Sequence, residues 1–235
     1  TAVGRSALDA NTTGGQNSAF GALSLDANTT GTQNVALGVE TLGTNTTGDR
    51  NTAIGFAALN ANTTANENTA VGHRALQVNT TGTDNVAVGF CALAGNTTGA
   101  KNTAMGYVAL FSNTTGPNNT AFGYKALCSN TTGDQNTAVG TQAADSVTTA
   151  SHIVAIGFCA QQTNTTGINN VSVGNYSQFL ETTGSRNVSM GYESNRNLTT
   201  GSCNVSIGQG AGYGTTTGNN NANLGFNAEA SSATS

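Results

Sequence analysis

Charge is scarce in this chain of 235 residues: Asp, Glu, Lys and Arg together make up 8% of it, where a globular domain carries about 25%. Asn, Thr, Ser and 31 Gly residues stand in their place, so neutral polar groups must keep the surface wet. Seven Lys plus Arg residues, dispersed in a chain of net charge −4, cannot neutralise a row of phosphates, which excludes nucleic acid as a partner. Long apolar runs are missing too. No stretch approaches the roughly 18 residues that cross a bilayer, so no membrane insertion is expected of this segment. No basic segment leading into an apolar one marks an export signal. Disorder goes with low hydrophobicity and high net charge, and the regular spacing of the apolar residues here argues instead for a folded chain.

Groups that carry chemistry are equally sparse. His73 and His152 lack Cys or carboxylate companions at ligand spacing, so neither a metal nor another cofactor is expected. No Gly-Gly-x-Gly-x-Asp calcium repeat occurs.

What the chain does have is a period. Asn17, Asn34, Asn51, Asn68, Asn85, Asn102, Asn119 and Asn136 fall 17 residues apart; Ile153 takes the next place, and the series resumes at Asn170, Asn187, Asn204 and Asn221. The register never slips. With that Asn as slot 1, the consensus is Asn-(Thr/Val)-Ala-(Val/Ile/Met/Phe)-Gly, two variable residues, Ala-Leu, two more variable residues, Asn-Thr-Thr-Gly and a mostly polar pair. Slot 5 is Gly in every coil from Gly4 to Gly225, which requires either a positive φ or a neighbouring backbone too close for a Cβ. Asn-Thr-Thr-Gly reads as a turn in which Asn bonds its own backbone and Gly takes a left-handed conformation.

Slots 2 to 5 alternate apolar or Thr residues with small ones, the period of a strand. Two strands of about five residues joined by two turns fill the unit, which predicts an all-β fold, a parallel β-solenoid of about fourteen coils. Coils about 4.8 Å apart would make a rod of roughly 65 Å. Their Asn and Thr columns would form hydrogen-bonded ladders. Slots 2 and 4 are expected to face the interior, leaving Ala or Ser and Gly at slots 3 and 5 on the other side. A solvated face carries charged or long polar residues; their absence predicts burial on both sides, by the coil itself and by a neighbouring chain. The alternative is that small residues relieve crowding in a tight coil.

The motif Asn-Thr-Ala-Val-Gly-x-x-Ala at residues 68–75, repeated with variation along the chain, resembles the head repeats of trimeric autotransporter adhesins and related repeats of phage and virus tail fibres. The present unit is a few residues longer, through its Asn-Thr-Thr-Gly turn. The resemblance implies a left-handed β-roll packed side by side in a homotrimer, acting as an extracellular fibre or surface filament at a cell or virion surface. It also implies adhesion to a host-surface receptor or glycan.

Slot 9 is Leu in eight successive coils, Leu8 to Leu127, and then becomes Ala144, Gln161, Gln178, Asn195, Gly212 and Glu229. Slot 2 turns to Val154, Val171, Val188 and Val205, and slot 3 to Ser172, Ser189 and Ser206. This predicts one solenoid with sub-regions 1–140 and 141–235 that differ in packing. Ser231 to Ser235 continue the register without a cap, which predicts end-to-end stacking of copies.

Three activities deserve weighing against a purely structural role. Asp9 and Asp26 share a slot in adjacent coils, as do Glu67 and Asp84, so each pair lies roughly 5 Å apart, within the range of retaining glycosidases. Both pairs occupy variable turn slots without aromatic sugar platforms, so no enzyme is expected. Ice binding could use the Thr columns, but Thr12 and Thr13 and their equivalents point different ways and slot 2 is expected to face inward. The sequons at Asn11, Asn28, Asn45, Asn62, Asn79, Asn96, Asn113, Asn130 and Asn164 are glycosylation candidates. Glycans on successive coils would collide at about 4.8 Å, which favours a hydrogen-bonded Asn ladder. Cys91, Cys128, Cys159 and Cys203 occupy slots that offer no disulfide geometry.

Overall fold

The computed structural model describes residues 1–229, so the register at Ser231 to Ser235 lies outside the described residues. The fold is all-β, a solenoid of parallel strands with no helix among the described residues. It divides into two compact units, Thr1–Asn119 and Thr120 onward. The first unit holds β1 (Ala2–Val3), β2 (Ser18–Phe20), β3 (Val35–Leu37), β4 (Thr52–Ile54), β5 (Thr69–Val71), β6 (Val86–Val88) and β7 (Thr103–Met105). The second holds β8 (Thr120–Phe122), β9 (Thr137–Val139), β10 (Val154–Ile156), β11 (Val171–Val173), β12 (Val188–Met190), β13 (Val205–Ile207) and β14 (Ala222–Leu224). Within each unit every strand pairs with the next in chain order at an offset of 17 residues, as in Ala53 with Ala70 and Ala138 with Ala155.

After the two-residue β1, each coil has one three-residue strand at slots 2 to 4, not the two longer strands its length suggested. The rest is turn, because in each of the first twelve coils three non-glycine residues, at slots 7, 9 and 17, are left-handed, with φ between 47° and 61°. Leu76 and Leu93 are among them. A left-handed residue interrupts an extended strand, yet pairing between coils persists: Leu59 N–H donates to Ala75 O at 3.0 Å, and Ala61 N–H to Gln77 O at 2.9 Å.

The faces are also the reverse of the expectation. Slot 3 points inward, with Ala19, Ala36, Ala53, Ala70, Ala87 and Ala104 all fully buried. Slots 2 and 4 point outward. A 17-residue coil encloses little space, and Leu at slot 9 fills it: Leu25, Leu42, Leu59, Leu76, Leu93 and Leu110 are fully buried, each contributing about 2 kcal/mol. With that Leu inside, the facing slot must be small, so the crowding explanation of slot 3 holds.

Slot-5 Gly satisfies both of its requirements. Gly72 has φ +137°, and a Cβ on it would lie 2.4 Å from Gly89 O. Slot-15 Gly differs from the expectation, since it is not left-handed. What its place offers is a close approach, since a Cβ on Gly48 would crowd Ala65 O of the next coil, and a carbonyl that accepts from Asn34 Nδ2 at 2.7 Å and from Asn45 Nδ2 at 3.1 Å. Ala65 O does the same for Asn51 and Asn62.

Gly72→Ala is expected to cost about 2 kcal/mol or more in chemical denaturation. Gly15→Ala, where a Cβ meets nothing within 4 Å, should stay within about 0.5 kcal/mol of the parent.

Candidate functional site

Within each unit the strands turn an apolar face to the outside. In the first unit slot 4 supplies Val3, Phe20, Leu37, Ile54, Val71, Val88 and Met105, exposed or half-buried; Leu37 is 48% and Met105 36% exposed. Slot 2 adds half-buried Thr52, Thr69, Val86 and Thr103 on the same side. Slot 6 borders the face with stacked rings: Phe56 to His73 at 5.3 Å, His73 to Phe90 at 5.2 Å and Phe90 to Tyr107 at 5.1 Å between centroids. All four rings are exposed. Since they stack nearly parallel on one another, their faces are used within the ladder and their edges point to solvent. The second unit repeats the arrangement with Phe122, Val139, Ile156, Met190 and Ile207 at slot 4 and exposed Tyr124, Phe158 and Tyr192 at slot 6. Charge is absent from slots 2 and 4 throughout.

The sequon residues lie elsewhere. Asn28, Asn45, Asn62, Asn79, Asn96, Asn113, Asn130 and Asn164 are fully buried, and Asn11 is partly so. From Asn11 to Asn113 they form a ladder: Asn45 Nδ2 donates to Asn28 Oδ1 at 2.8 Å and Asn62 Nδ2 to Asn45 Oδ1 at 2.8 Å. A glycan on Nδ2 would displace both of that nitrogen's acceptors and require an opening to solvent that the folded coil lacks. The slot-1 Asn residues make a second column, in which Oδ1 of one coil accepts the backbone N–H of the next, as Asn34 Oδ1 does from Asn51 at 2.9 Å.

The two Thr columns separate. Slot 13 is half-buried in the coils between the end ones, its hydroxyl donating to the next coil's Thr carbonyl, as Thr46 Oγ1 does to Thr63 O at 3.0 Å. Slot 14 is exposed in every coil. Of the carboxylate pairs, Glu67 and Asp84 are exposed, and Glu67 is taken up by Arg50 at 2.8 Å. Asp9 is exposed and Asp26 half-buried, without a basic partner. The four cysteines are free thiols; burial pushes those of Cys91, Cys128 and Cys159 up. Among the described residues no three His, Cys, Asp or Glu side chains cluster as a metal would require.

One buried acid escaped the sequence reading. Glu181 stands in slot 12, where nine other coils have Asn, and is fully buried. Its Oε1 accepts from Asn187 Nδ2 at 2.8 Å and Asn170 Nδ2 at 3.3 Å, and its Oε2 from Gln161 Nε2 at 3.2 Å. Burial outweighs these bonds and raises its carboxyl from 4.5 to about 8. Around it the interior is polar: Gln161, Gln178 and Asn195 replace the Leu of slot 9, all fully buried. Asn195 donates to Ser189 Oγ and accepts from Ser206 Oγ, each at 2.7 Å.

No protein-family model matches the chain, and comparisons with curated proteins and with solved structures find no match.

Two outcomes follow from the buried columns. Asn62→Asp removes the donor to Asn45 Oδ1 and Ala65 O and buries a charge, so it should cost about 3 kcal/mol or more in denaturant. Glu181 keeps its proton to about pH 8 when folded but releases it near 4.5 when unfolded. Stability is therefore full below that lower value and falls as pH rises through the higher one. Melting curves from pH 4 to 9 in tetramethylammonium buffers should show this loss, and Glu181→Gln should flatten it.

Proposed function

We propose that the chain is a structural repeat protein that associates with copies of itself through the outward face of slots 2 and 4, most simply as a homotrimer, to build an extracellular fibre or surface filament. The observation that carries this reading is the row of exposed Phe20, Leu37, Met105 and their neighbours on a face without charge. Exposed apolar patches of this extent mark interaction surfaces. A second copy is the fitting occupant, because another stack of the same coils presents the same uncharged apolar face with the same rise of about 4.8 Å per coil. The resemblance of the strand motif to adhesin head repeats supports the same assembly and, with it, attachment to a receptor or glycan.

No catalytic role is proposed. The carboxylate pairs lie on turns, and in the first unit Glu67 is neutralised by Arg50. Ice binding gains one argument from the outward Thr52, Thr69 and Thr103. Against it, slot 2 mixes Thr with Val and slot 4 mixes Val with Phe, Leu and Met, so the face lacks the uniformity that a match to a lattice requires. Ice-growth assays are expected to show no thermal hysteresis beyond buffer; a clear gap would promote that reading.

Light scattering should give the parent chain a mass that is a multiple of its monomer's. Val71→Glu and Met105→Glu, on the outward face, are expected to yield monomers with an unchanged β spectrum. Ala104→Glu, in the buried slot 3, should unfold the chain, and Lys101→Glu, at an exposed turn, should do nothing. A monomeric parent, or a Met105→Glu protein that associates as the parent does, sinks the proposal.

A further inference from the structure

We propose that the interior around Glu181 is a binding site for a single sodium ion. Three observations converge. Glu181 is a fully buried carboxyl whose hydrogen-bond partners are all neutral amides, and no Lys, Arg or His contributes to its electrostatics. Buried carboxylates are otherwise paired with a base or with a metal. Second, the fully buried heads of Gln161 and Gln178 are unsatisfied: Gln161 Oε1 and both Gln178 Oε1 and Nε2 have no partner. Such groups cost stability unless something meets them. Third, Asn170 and Asn187 are fixed in orientation, because their Nδ2 atoms also donate to Gly184 O and Gly201 O, each at 2.8 Å. Their N–H groups thus stay on Glu181 Oε1 and leave Oε2 for another ligand.

Gln161 has no such constraint. Turning its amide over, which interchanges oxygen and nitrogen, puts an oxygen 3.2 Å from Glu181 Oε2. Two oxygens at that separation, seen at a right angle, set a metal–oxygen distance of about 2.3 Å, within the range of hard cations. Potassium is too large for that edge. Charge selects between the small cations: one carboxylate with neutral amide oxygens balances a monovalent ion and would leave a divalent one with an uncompensated buried charge. Gln178, in slot 9 of the coil that carries Glu181, holds a further buried oxygen without a partner, which the proposal assigns to the ion.

The test holds pH at 9 and ionic strength constant while exchanging tetramethylammonium chloride for sodium chloride or potassium chloride. The melting temperature of the parent chain should rise saturably with sodium, more than with potassium, and the sodium NMR line should broaden on addition of protein. Glu181→Gln should abolish both effects, and Gln178→Met, which keeps the side chain's bulk and removes its oxygen, should weaken them at least tenfold in affinity. Melts that are the same in sodium and tetramethylammonium overturn the proposal and leave Glu181 as an acid without a counter-ion. An equal response to potassium, or a sodium response that survives Glu181→Gln, overturns it as well. Should Glu181→Gln fail to fold, Gln178→Met and the parent's ion dependence still decide.

Discussion

The structure depends on one constraint: within each unit, a coil is satisfied only by another of the same length. Backbone donors reach carbonyls 16 to 18 residues away, as Thr52 N–H does at Asn68 O and Gly72 N–H at Ile54 O. Side-chain amides do the same at an offset of 17, from Asn62 to Asn45 and on from Asn45 to Asn28. Slot-5 Gly brings successive backbones so close that no Cβ fits between them. A chain with few charges can be held this way because its polar groups are consumed by one another, and buried polar groups stabilise only when partnered.

The same tightness decides where the apolar residues go. A coil that holds a Leu at slot 9 and Asn at slots 1 and 12 has room for only a methyl at slot 3, so the larger residues of the strand are left outside. The outward face is thus a consequence of a small interior, and the assembly proposed for the chain answers it. In the second unit the interior changes chemistry without changing register: Leu gives way to Gln161, Gln178 and Asn195, with serines beside them. The carboxyl of Glu181 sits in that polar stretch.

Much of this was legible in the sequence. The Asn and Gly registers alone define parallel coils of equal length, and the Asn ladder follows from them. Orientation was not legible, because a strand of three residues alternates only once, and Thr-Ala-Val reads equally well with either face inward. Nor was the count of strands: the left-handed residues at slots 7 and 9 include Leu, Ala and Cys, residues without turn preference, so the stack imposes a conformation that no local signal announces. Glu181 escaped the sequence because a single substitution in slot 12 carries no sign of burial until the coil places that slot inside.

The most direct test of the constraint removes chain in two ways. Deleting residues 68–84 excises one whole coil and joins Glu67 to Asn85 in register. Deleting Thr81 alone shifts every later slot of its coil by one. Thermal melts followed by circular dichroism should find the 17-residue deletion folded and cooperative, and the single deletion strongly destabilised or unfolded. A single deletion that melts like the parent, or a whole-coil deletion that fails to fold, would contradict the account.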